Sequence, residues 1–449
     1  MKLFKKVSAM VVSLLMALAV MVPVSAASRT ITVTNGDGLA LSYVQVIKVD
    51  RTQKTGWAFT DDEFAGYFKT AYGAKDDQDA IEKYIAGGSS STLEKVIAKV
   101  EKNATFTPFE NGKSTKVLPE GLYVVKVGDT SNKYNYKPLS AAFGFDGIEN
   151  TKEVTAKREE NQVTKTVDDN DKAVQNGDKV TYTVKVNVPY INEADTDRTF
   201  TVTDTLTGAE YVQGTVKIDG VAAGDKATIN QEANQLVVNL NDYVADTSKA
   251  WTTVTITYDA IINTANDKVT NTATASHGSD SEYKHGEVKL YSGNITLTKY
   301  NEDKSETLSG AGFNVLDKDG KVLKFVDKGN NTYVLAKNQA ATEGVVTEVV
   351  TGANGQLIVR GLGLGKYEFK EVTAPSGYTI NVVNAKAELT KENDTVTAVF
   401  AKETSMQDTK VGSLPETGGI GTTIFTVGGC AIMVAAAALF FMNKKKHEK

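Results

Sequence analysis

The sequence is poor in the residues that usually cross-link small extracellular domains or bind transition metals. Its single cysteine, Cys430, excludes a disulfide within the chain. Its three histidines, His277, His285 and His447, are scattered without ligand spacing, and no cluster of cysteine and histidine indicates zinc. We therefore expect no metal and no cofactor, and something other than a disulfide must stabilise the chain.

The charge balance excludes another class of partner. The chain has 50 Lys and Arg against 55 Asp and Glu, which argues against a nucleic-acid partner. The acidic stretch 168–171 lacks the spacing and the turn glycine of a calcium loop. A hydrolase is a weak alternative, because no Ser/His/Asp arrangement, metal cluster or facing pair of carboxylates is evident.

The C-terminal region combines three features in a fixed order. A pentapeptide is followed by an apolar run, 420–442, and by a basic tail, 444–449. The run is long enough to cross a bilayer as one helix, and the lysines favour a cytoplasmic tail, so the pentapeptide is expected just outside the membrane. An ordinary membrane anchor beside a chance motif is the alternative. The pentapeptide consists of Leu414, Pro415, Glu416, Thr417 and Gly418.

The N-terminal region predicts export. The apolar stretch 7–24 follows three lysines and ends at the small residues Ser25 and Ala26, as in a secretory signal peptide that covers residues 1–26. The mature protein is then expected to begin near Ala27. A lone N-terminal membrane helix is the alternative.

The remaining sequence predicts a mainly β protein. Threonine, valine and tyrosine dominate short alternating segments, and Asp-Gly or Asn-Gly pairs that suit hairpin turns separate them. The predicted fold is a tandem array of immunoglobulin-like β-sandwich domains. The segments are 29–34, 179–188, 252–259 and 396–400, and the turn pairs are Asp37-Gly38, Asp219-Gly220, Asp319-Gly320 and Asn354-Gly355.

The first domain differs from the others because it contains helical patterns. Segment 92–102 places apolar residues on one helical face, segment 77–86 predicts a second helix, and segment 118–125 returns to strand. We interpret the helices as an insertion between strands. The predicted divisions are a signal peptide at 1–26, domains at 27–158, 159–291 and 292–410, and a sorting signal with transmembrane helix and basic tail at 411–449.

Two strands place a lysine on the face that is otherwise apolar. Lys299 alternates with Ile295 and Leu297, and Lys165 lies between Val163 and Val167. Burying an unpaired ammonium group is very costly, so each lysine needs partners. Three other strands supply them, because Asp204, Asn271 and Glu371 each share a face with apolar residues.

Such a cluster has a chemical use. Burial lowers the pKa of a lysine and raises that of a carboxyl group, which favours a neutral amine beside a protonated acid. If the acid donates a hydrogen bond to a carboxamide oxygen, the amine can attack the carboxamide carbon and an isopeptide bond remains. A buried salt bridge or hydrogen-bond network without covalent chemistry is the alternative.

Residues 367–378, YEFKEVTAPSGY, resemble the YxLxExxAPxGY box of collagen-binding-protein B-type domains, with Phe369 in place of the usual leucine. The resemblance implies that Glu371 is the acid and Lys299 the amine. The last strand of such domains normally supplies an asparagine, and Asp408 stands at that place, so water rather than ammonia would be lost. Asn393 is the reserve candidate.

The second domain resembles the A-type variant. This resemblance implies a triad of Lys165, Asp204 as the acid and Asn271 as the amide. In the first domain Lys48 has a comparable strand position, but no acid box is visible, and we predict no cross-link there.

Taken together, the domain plan and the ends resemble the major backbone subunit of Gram-positive sortase-assembled pili. The resemblance implies that sortase cuts between Thr417 and Gly418 and joins Thr417 to a lysine of the next subunit. Lys157, in the segment 154–157, stands where this family has its YPKN-like motif. Lys152 is the nearest rival, and an ordinary solvated linker lysine is the alternative.

The resulting functional prediction is a secreted structural subunit of a cell-wall-anchored pilus, and not an enzyme. Its implied partners are sortase, copies of itself and a peptidoglycan precursor joined through Thr417. Minor pilins and host-surface ligands are further expected partners, and adhesion is expected by resemblance. The alternative is a monomeric wall-anchored adhesin or minor pilin whose first domain binds a ligand.

Overall fold

The computed structural model describes most of the chain between the two ends that are predicted to be processed. The predicted signal peptide, the pentapeptide 414–418 and most of the apolar run lie outside the described residues. Within the part that is described, no helix combines the length and apolar character needed to cross a membrane. The described residues are 28–87, 90–128, 133–145, 151–192, 195–278, 281–411, 432–434 and 436.

Strands dominate the described residues, and the helices are few and short. The helices are α1 (Asp62–Tyr72), α2 (Asp77–Ile85), α3 (Ser90–Asn103) and α4 (Asn241–Val244), with 3₁₀ turns at Gly224–Lys226 and Thr247–Lys249. The strands up to residue 160 are β1 (Ser28–Thr34), β2 (Ala40–Val49), β3 (Trp57–Phe59), β4 (Thr107–Pro108), β5 (Thr115–Pro119), β6 (Gly121–Gly128), β7 (Tyr134–Tyr136), β8 (Leu139–Phe143), β9 (Glu153–Thr155) and β10 (Arg158–Glu160).

The later strands fall into two further series. The first is β11 (Val163–Val167), β12 (Lys179–Asn187), β13 (Phe200–Thr207), β14 (Ala209–Tyr211), β15 (Lys217–Ile218), β16 (Val221–Ala222), β17 (Ala227–Asn230), β18 (Gln235–Asn239), β19 (Thr253–Ile262), β20 (Lys268–His277), β21 (Ser281–Glu282) and β22 (Gly286–Tyr291). The second is β23 (Gly293–Asn301), β24 (Gly312–Leu316), β25 (Phe325–Asp327), β26 (Thr332–Leu335), β27 (Glu348–Val350), β28 (Gln356–Leu362), β29 (Gly365–Thr373), β30 (Ala385–Leu389) and β31 (Phe400–Asp408).

The chain divides into two compact units. The first unit comprises residues 1–169, 179–260 and 270–289, and the second comprises 170–178, 261–269 and 290–449. The predicted three-domain division therefore stays a prediction, since this grouping does not separate the first two predicted domains.

The early part of the first unit combines small sheets with three helices. Its sheets have the strand orders β5-β1-β9, β10-β7 and β3-β2-β6-β8, and β4 pairs with β2. Helices α2 and α3 agree with the predicted helices. Helix α1 was not predicted from the sequence; Asp61 caps its N-terminus, and Phe64 and Phe68 are buried.

The later part of the first unit is a two-sheet sandwich. One sheet has the order β11-β12-β19-β15-β16 and the other β17-β18-β13-β20-β21. Strand β19 shows strict alternation of buried and partly buried side chains, as expected for a strand with one face on the core. The predicted turn at Asp219 and Gly220 joins β15 to β16 with positive φ at both residues, 48° and 82°.

The second unit is built around another sandwich, with sheets ordered β25-β26-β28-β23-β31 and β27-β24-β29-β30. Its core is apolar and includes Phe313, Phe325 and Phe369. The first strand, β23, lies beside the last strand, β31, and the two are parallel. The predicted strand 396–400 is wrong in most of its length, because β31 begins only at Phe400.

Asp267, in the turn between β19 and β20, is fully buried within the second unit. One carboxylate oxygen accepts a hydrogen bond of 2.8 Å from the backbone N–H of Gly361. The other accepts bonds from Arg360 at 2.8 Å and Asn294 at 3.0 Å. Because several donors converge on one buried carboxylate, this turn is fixed to strands β23 and β28.

Candidate functional site

The second unit contains a buried cluster of one lysine and two acids. Lys299 on β23 is fully buried, and its Nζ contacts a carboxylate oxygen of Asp408 on β31. The same Nζ lies 2.9 Å from Oε1 of Glu371 on β29. The structure therefore brings together the three residues that the sequence predicted for the cross-linking site of this domain.

Strand register explains how the cluster forms. Strands β23 and β31 are parallel neighbours, with Lys299 opposite Met406 and Asn301 opposite Asp408. Residues two apart on one strand share a face, so Lys299 and Asp408 point into the same core from adjacent strands. Glu371 reaches them from the opposite sheet, where it pairs with Phe313.

The charges in this cluster do not balance. One ammonium group faces two carboxyl groups in an apolar core, so one carboxyl group favours the protonated state. Burial raises the pKa of Glu371, and the hydrogen bond from the Asn381 backbone N–H only partly opposes this rise. Glu371 is thus the group best suited to hold a proton.

Two oxygens of the cluster are left without hydrogen bonds from the described residues. They are Oδ2 of Asp408 and Oε1 of Glu371, and the latter stands at ion-pair distance from Lys299 without accepting a hydrogen bond. Buried acceptors without donors are rare and costly in folded proteins. Condensation of the lysine with Asp408 would remove one of the two aspartate oxygens as water.

Asn381 was not predicted as part of this site. Its backbone N–H donates to Oε2 of Glu371 at 2.7 Å, and its side chain donates to the backbone oxygen of Gln407 at 2.8 Å. The reserve candidate Asn393 lies elsewhere, exposed in the connection between β30 and β31. The structure does not bring it to the cluster.

The first unit contains the second buried cluster. Nζ of Lys165 on β11 contacts Oδ2 of Asp204 on β13 and donates to the hydroxyl of Tyr258 at 2.6 Å. The hydroxyls of Tyr258 and Tyr211 donate to Oδ1 of Asp204 at 2.7 and 2.8 Å. Burial lowers the pKa of Lys165, although the Asp204 carboxylate acts in the opposite direction.

Asn271 on β20 joins this cluster through Tyr258. Its side-chain amide donates to the Tyr258 hydroxyl at 2.9 Å, while its Oδ1 has no hydrogen bond from the described residues. Lys165 and Asn271 therefore share one hydroxyl group as a partner. The Asn271 Oδ1 can therefore accept a hydrogen bond from a protonated acid.

Tyr258 and Tyr211 were missed from the sequence. Tyr258 continues the inward series of Val254 and Ile256 on β19, so alternation alone identifies it as an ordinary core residue. The available signal is its hydroxyl group, since a buried tyrosine usually places its O–H beside a polar partner.

The two clusters span different parts of their sandwiches. Lys299 and Asp408 lie on neighbouring strands of one sheet. Lys165 lies on β11 in one sheet, whereas Asp204 and Asn271 lie on β13 and β20 in the other. A bond between Lys165 and Asn271 would therefore connect the two sheets.

The remaining candidate lysines of the sequence analysis are exposed. Lys157 lies between β9 and β10, and Lys152 lies just before β9. Lys48 on β2 is exposed as well. Within the described ranges, no group of side chains is arranged to hold a metal ion.

Comparison with known families identifies two regions. Residues 293–404 match the SpaA prealbumin-like fold domain, which covers the sandwich that contains Lys299 up to the middle of β31. Residues 407–449 match the LPXTG cell wall anchor motif, which confirms the predicted sorting signal. No curated protein matches the chain.

Two solved structures illustrate what the chain is similar to. The T6 backbone pilin of serotype M6 Streptococcus pyogenes, described as a modular three-domain structure, is 16% identical, with 82% of this chain and 81% of that chain covered and a TM-score of 0.53. The major pilin SpaD of Corynebacterium diphtheriae is 19% identical, with 87% and 98% covered and a TM-score of 0.48. The T6 likeness confirms the predicted tandem β-sandwich fold.

Proposed function

We propose that the chain is the structural shaft subunit of a covalently polymerised surface pilus, and that its internal strength comes from two self-formed isopeptide bonds. The observation that carries this proposal is the buried contact of Lys299 with Glu371 and Asp408 between the first and last strands of the sandwich that precedes the wall anchor. The chain then acts as a substrate of sortase, without catalytic turnover of its own.

In the second unit the reaction is a condensation. Lys299 gives a proton to Asp408, and the neutral amine attacks the Asp408 Cγ. A second proton passes from the attacking nitrogen to the leaving hydroxyl, so the Cγ–O bond breaks and water leaves. Protonated Glu371 donates a hydrogen bond to the oxygen that becomes negative in the tetrahedral intermediate. The product is an amide in which no group carries a charge, and this removes the cost of a buried ammonium group.

In the first unit the leaving group is ammonia. Lys165 transfers a proton to Asp204, and its neutral amine attacks the Asn271 Cγ. The Cγ–Nδ2 bond breaks, and Nδ2 leaves as ammonia after it takes up a proton from the attacking Lys165 nitrogen, while Asp204 keeps the first proton. Tyr258 supports this step because its hydroxyl contacts the amine, the acid and the amide at once.

The positions of these bonds suit a chain that carries tension. A bond from Lys299 to Asp408 transmits force directly from β23 to β31, so residues 300–407 are shielded from the load. A bond from Lys165 to Asn271 shields residues 166–270 in the same way. Without these bonds, tension would act on strand-to-strand hydrogen bonds, each of which contributes only about 1 kcal/mol.

Polymerisation needs one further bond between copies of the chain. Sortase cleaves between Thr417 and Gly418, and the amine of Lys157 in the next subunit attacks the Thr417 carbonyl carbon and releases the enzyme. A peptidoglycan precursor takes the place of Lys157 in the last transfer, which anchors the polymer to the wall. Minor pilins and host-surface ligands are further partners of such a shaft.

Immunoblots of wall extracts from the producing bacterium test the proposal. We expect a high-mass ladder that is lost in the Lys157→Ala variant and retained in the Lys152→Ala variant. A ladder that survives Lys157→Ala removes Lys157 as the linkage residue. Absence of any ladder in the wild type favours the monomeric adhesin instead.

A further inference from the structure

The loop between β29 and β30 exposes three large apolar side chains. Ile380, Val382 and Val383 are 48%, 89% and 70% exposed, and we call them the valine patch. Single exposed apolar residues are common, but three within four consecutive positions mark a surface that favours a partner.

The same loop is held firmly in place. The backbone N–H of Asn381, between the exposed residues, donates to Glu371, and the Val383 N–H donates to the Asn381 side chain at 2.9 Å. The Thr379 N–H donates to the Thr409 backbone oxygen at 3.1 Å. Because the loop is fixed beforehand, little conformational entropy is lost when its apolar side chains meet a partner.

The length of the following chain limits where this patch can lie in a polymer. Val411 donates its N–H to the backbone oxygen of Gly377 at the base of the loop, and Thr417 is only six positions further along the chain. A fully extended segment of that length reaches roughly 20 Å. After transfer to Lys157, the patch must lie near the Lys157 region of the next copy.

That region presents an outward sheet face with few charges. The sheet β5-β1-β9 buries Ile31, Val33 and Val154 on one side, so its other side faces outward. The outward face carries Glu153 as its only charged side chain among the described strand residues, and we call it the threonine face. Its other members include Thr30, Thr32, Thr34, Thr115, Val117 and Thr155.

The geometry points to a second copy of this chain as the occupant of the valine patch, with the patch seated on the threonine face next to Lys157. This inference rests on the proposed polymer and adds a non-covalent contact that positions each subunit for transfer. The contact itself is small. Its strength comes from the short tether, which makes the second contact effectively intramolecular.

A charge placed in the patch tests the contact. In the full chain expressed by the producing bacterium, Val383→Lys is expected to raise the ratio of unpolymerised chain to ladder several-fold. Val221→Lys is the matched control, because Val221 is also 70% exposed but lies on β16. The control is expected to leave the ladder unchanged.

A disulfide test identifies the occupant. In the Val117→Cys, Val383→Cys double variant, oxidised polymer digested with trypsin is expected to yield a peptide pair joined between positions 117 and 383. The Val221→Cys, Val383→Cys variant is expected to yield no corresponding pair.

The outcomes separate this inference from the proposed function. A wild type without a ladder overturns both. A normal wild-type ladder that Val383→Lys leaves unchanged overturns the docking contact alone. In the third case Val383→Lys shortens the ladder, but polymer of the Val117→Cys, Val383→Cys variant lacks the joined peptides. This result assigns the patch to a contact with sortase and overturns the second copy as its occupant.

Discussion

Lys299 and Asp408 meet in the core from two parallel neighbouring strands, although 109 positions separate them in the sequence. Both side chains are completely buried, and Glu371 stands beside them. A cluster of this kind would be costly as a permanent ion pair, because three ionisable groups are removed from water. Its arrangement is the one that the proposed isopeptide bond requires of its reactants.

The identity of the leaving group gives the first prediction. A recombinant chain covering residues 28–411 is expected to weigh less than its sequence by one water and one ammonia. In Asp408→Asn the third-domain reaction would release ammonia, so two ammonias are expected. Intact-mass spectrometry distinguishes these cases, and Asn393→Ala serves as a control that keeps the wild-type deficit. The full sequence mass would contradict both cross-links.

The role of Glu371 gives the second prediction. Glu371→Gln keeps the shape of the side chain but removes the acid, so the water loss is expected to disappear while the ammonia loss remains. The missing cross-link closes a loop of about 100 residues, and its absence should lower the free energy of unfolding by about 4–5 kcal/mol on a chain-entropy basis. Calorimetry measures this change. Retained water loss would show that Glu371 is not required.

Much of the lysine cluster could be predicted from strand alternation. Lys299 follows Ile295 and Leu297 on one face, and a lysine there must be buried whatever its partners are. The position of Asp408 came from resemblance, because no local pattern indicates that the last strand lies beside the first. Whether two distant strands pair in parallel depends on the packing of the whole sandwich.

Other features of the structure could not be predicted, because the sequence pattern that indicates them is too weak. Asn381 acts through its backbone N–H, which any residue except proline could supply. Helix α1 contains Gly66 and several aromatic residues, which are poor helix formers, so packing of Phe64 and Phe68 decides its state. Segment 396–400 alternates like a strand, yet Val396 hydrogen-bonds to Asp171 instead of joining a sheet at that position.

The hydroxyl of Tyr258 gives the third prediction. Tyr258→Phe removes the partner that Lys165 and Asn271 share, so the ammonia loss is expected to become slow or incomplete. In chain that has not reacted, unpaired buried groups should cost about 1–3 kcal/mol. Mass spectra taken during folding measure the rate.

Tyr283→Phe is a suitable control for this prediction. Tyr283 is also buried in the first unit, but its hydroxyl has no hydrogen-bond partner among the described residues. Its removal should leave the reaction rate unchanged. Equal rates for Tyr258→Phe and wild type would contradict a role for the shared hydroxyl.

The buried carboxylate of Asp267 gives the fourth prediction. Asp267→Ala leaves the donors of Gly361, Arg360 and Asn294 without their acceptor, and we expect a loss of about 3 kcal/mol in the free energy of unfolding. The turn between β19 and β20 should also become sensitive to protease. The exposed Asp319 provides a control, since Asp319→Ala should change neither property. Unchanged protease resistance in Asp267→Ala would contradict the anchoring role.

The pH dependence of cross-linking gives the fifth prediction. Burial raises the pKa of Glu371, and the proposed reaction needs this group protonated so that it can donate its hydrogen bond. As pH rises through the raised pKa, Glu371 loses its proton and the cluster holds two carboxylates against one ammonium group. The rate of water loss should therefore be highest at low pH and fall as pH increases. To measure this profile, unreacted chain is recovered from inclusion bodies and refolded across a pH series, and its mass is followed over time. A rate that increases steadily with pH would assign the limiting step to deprotonation of the amine instead.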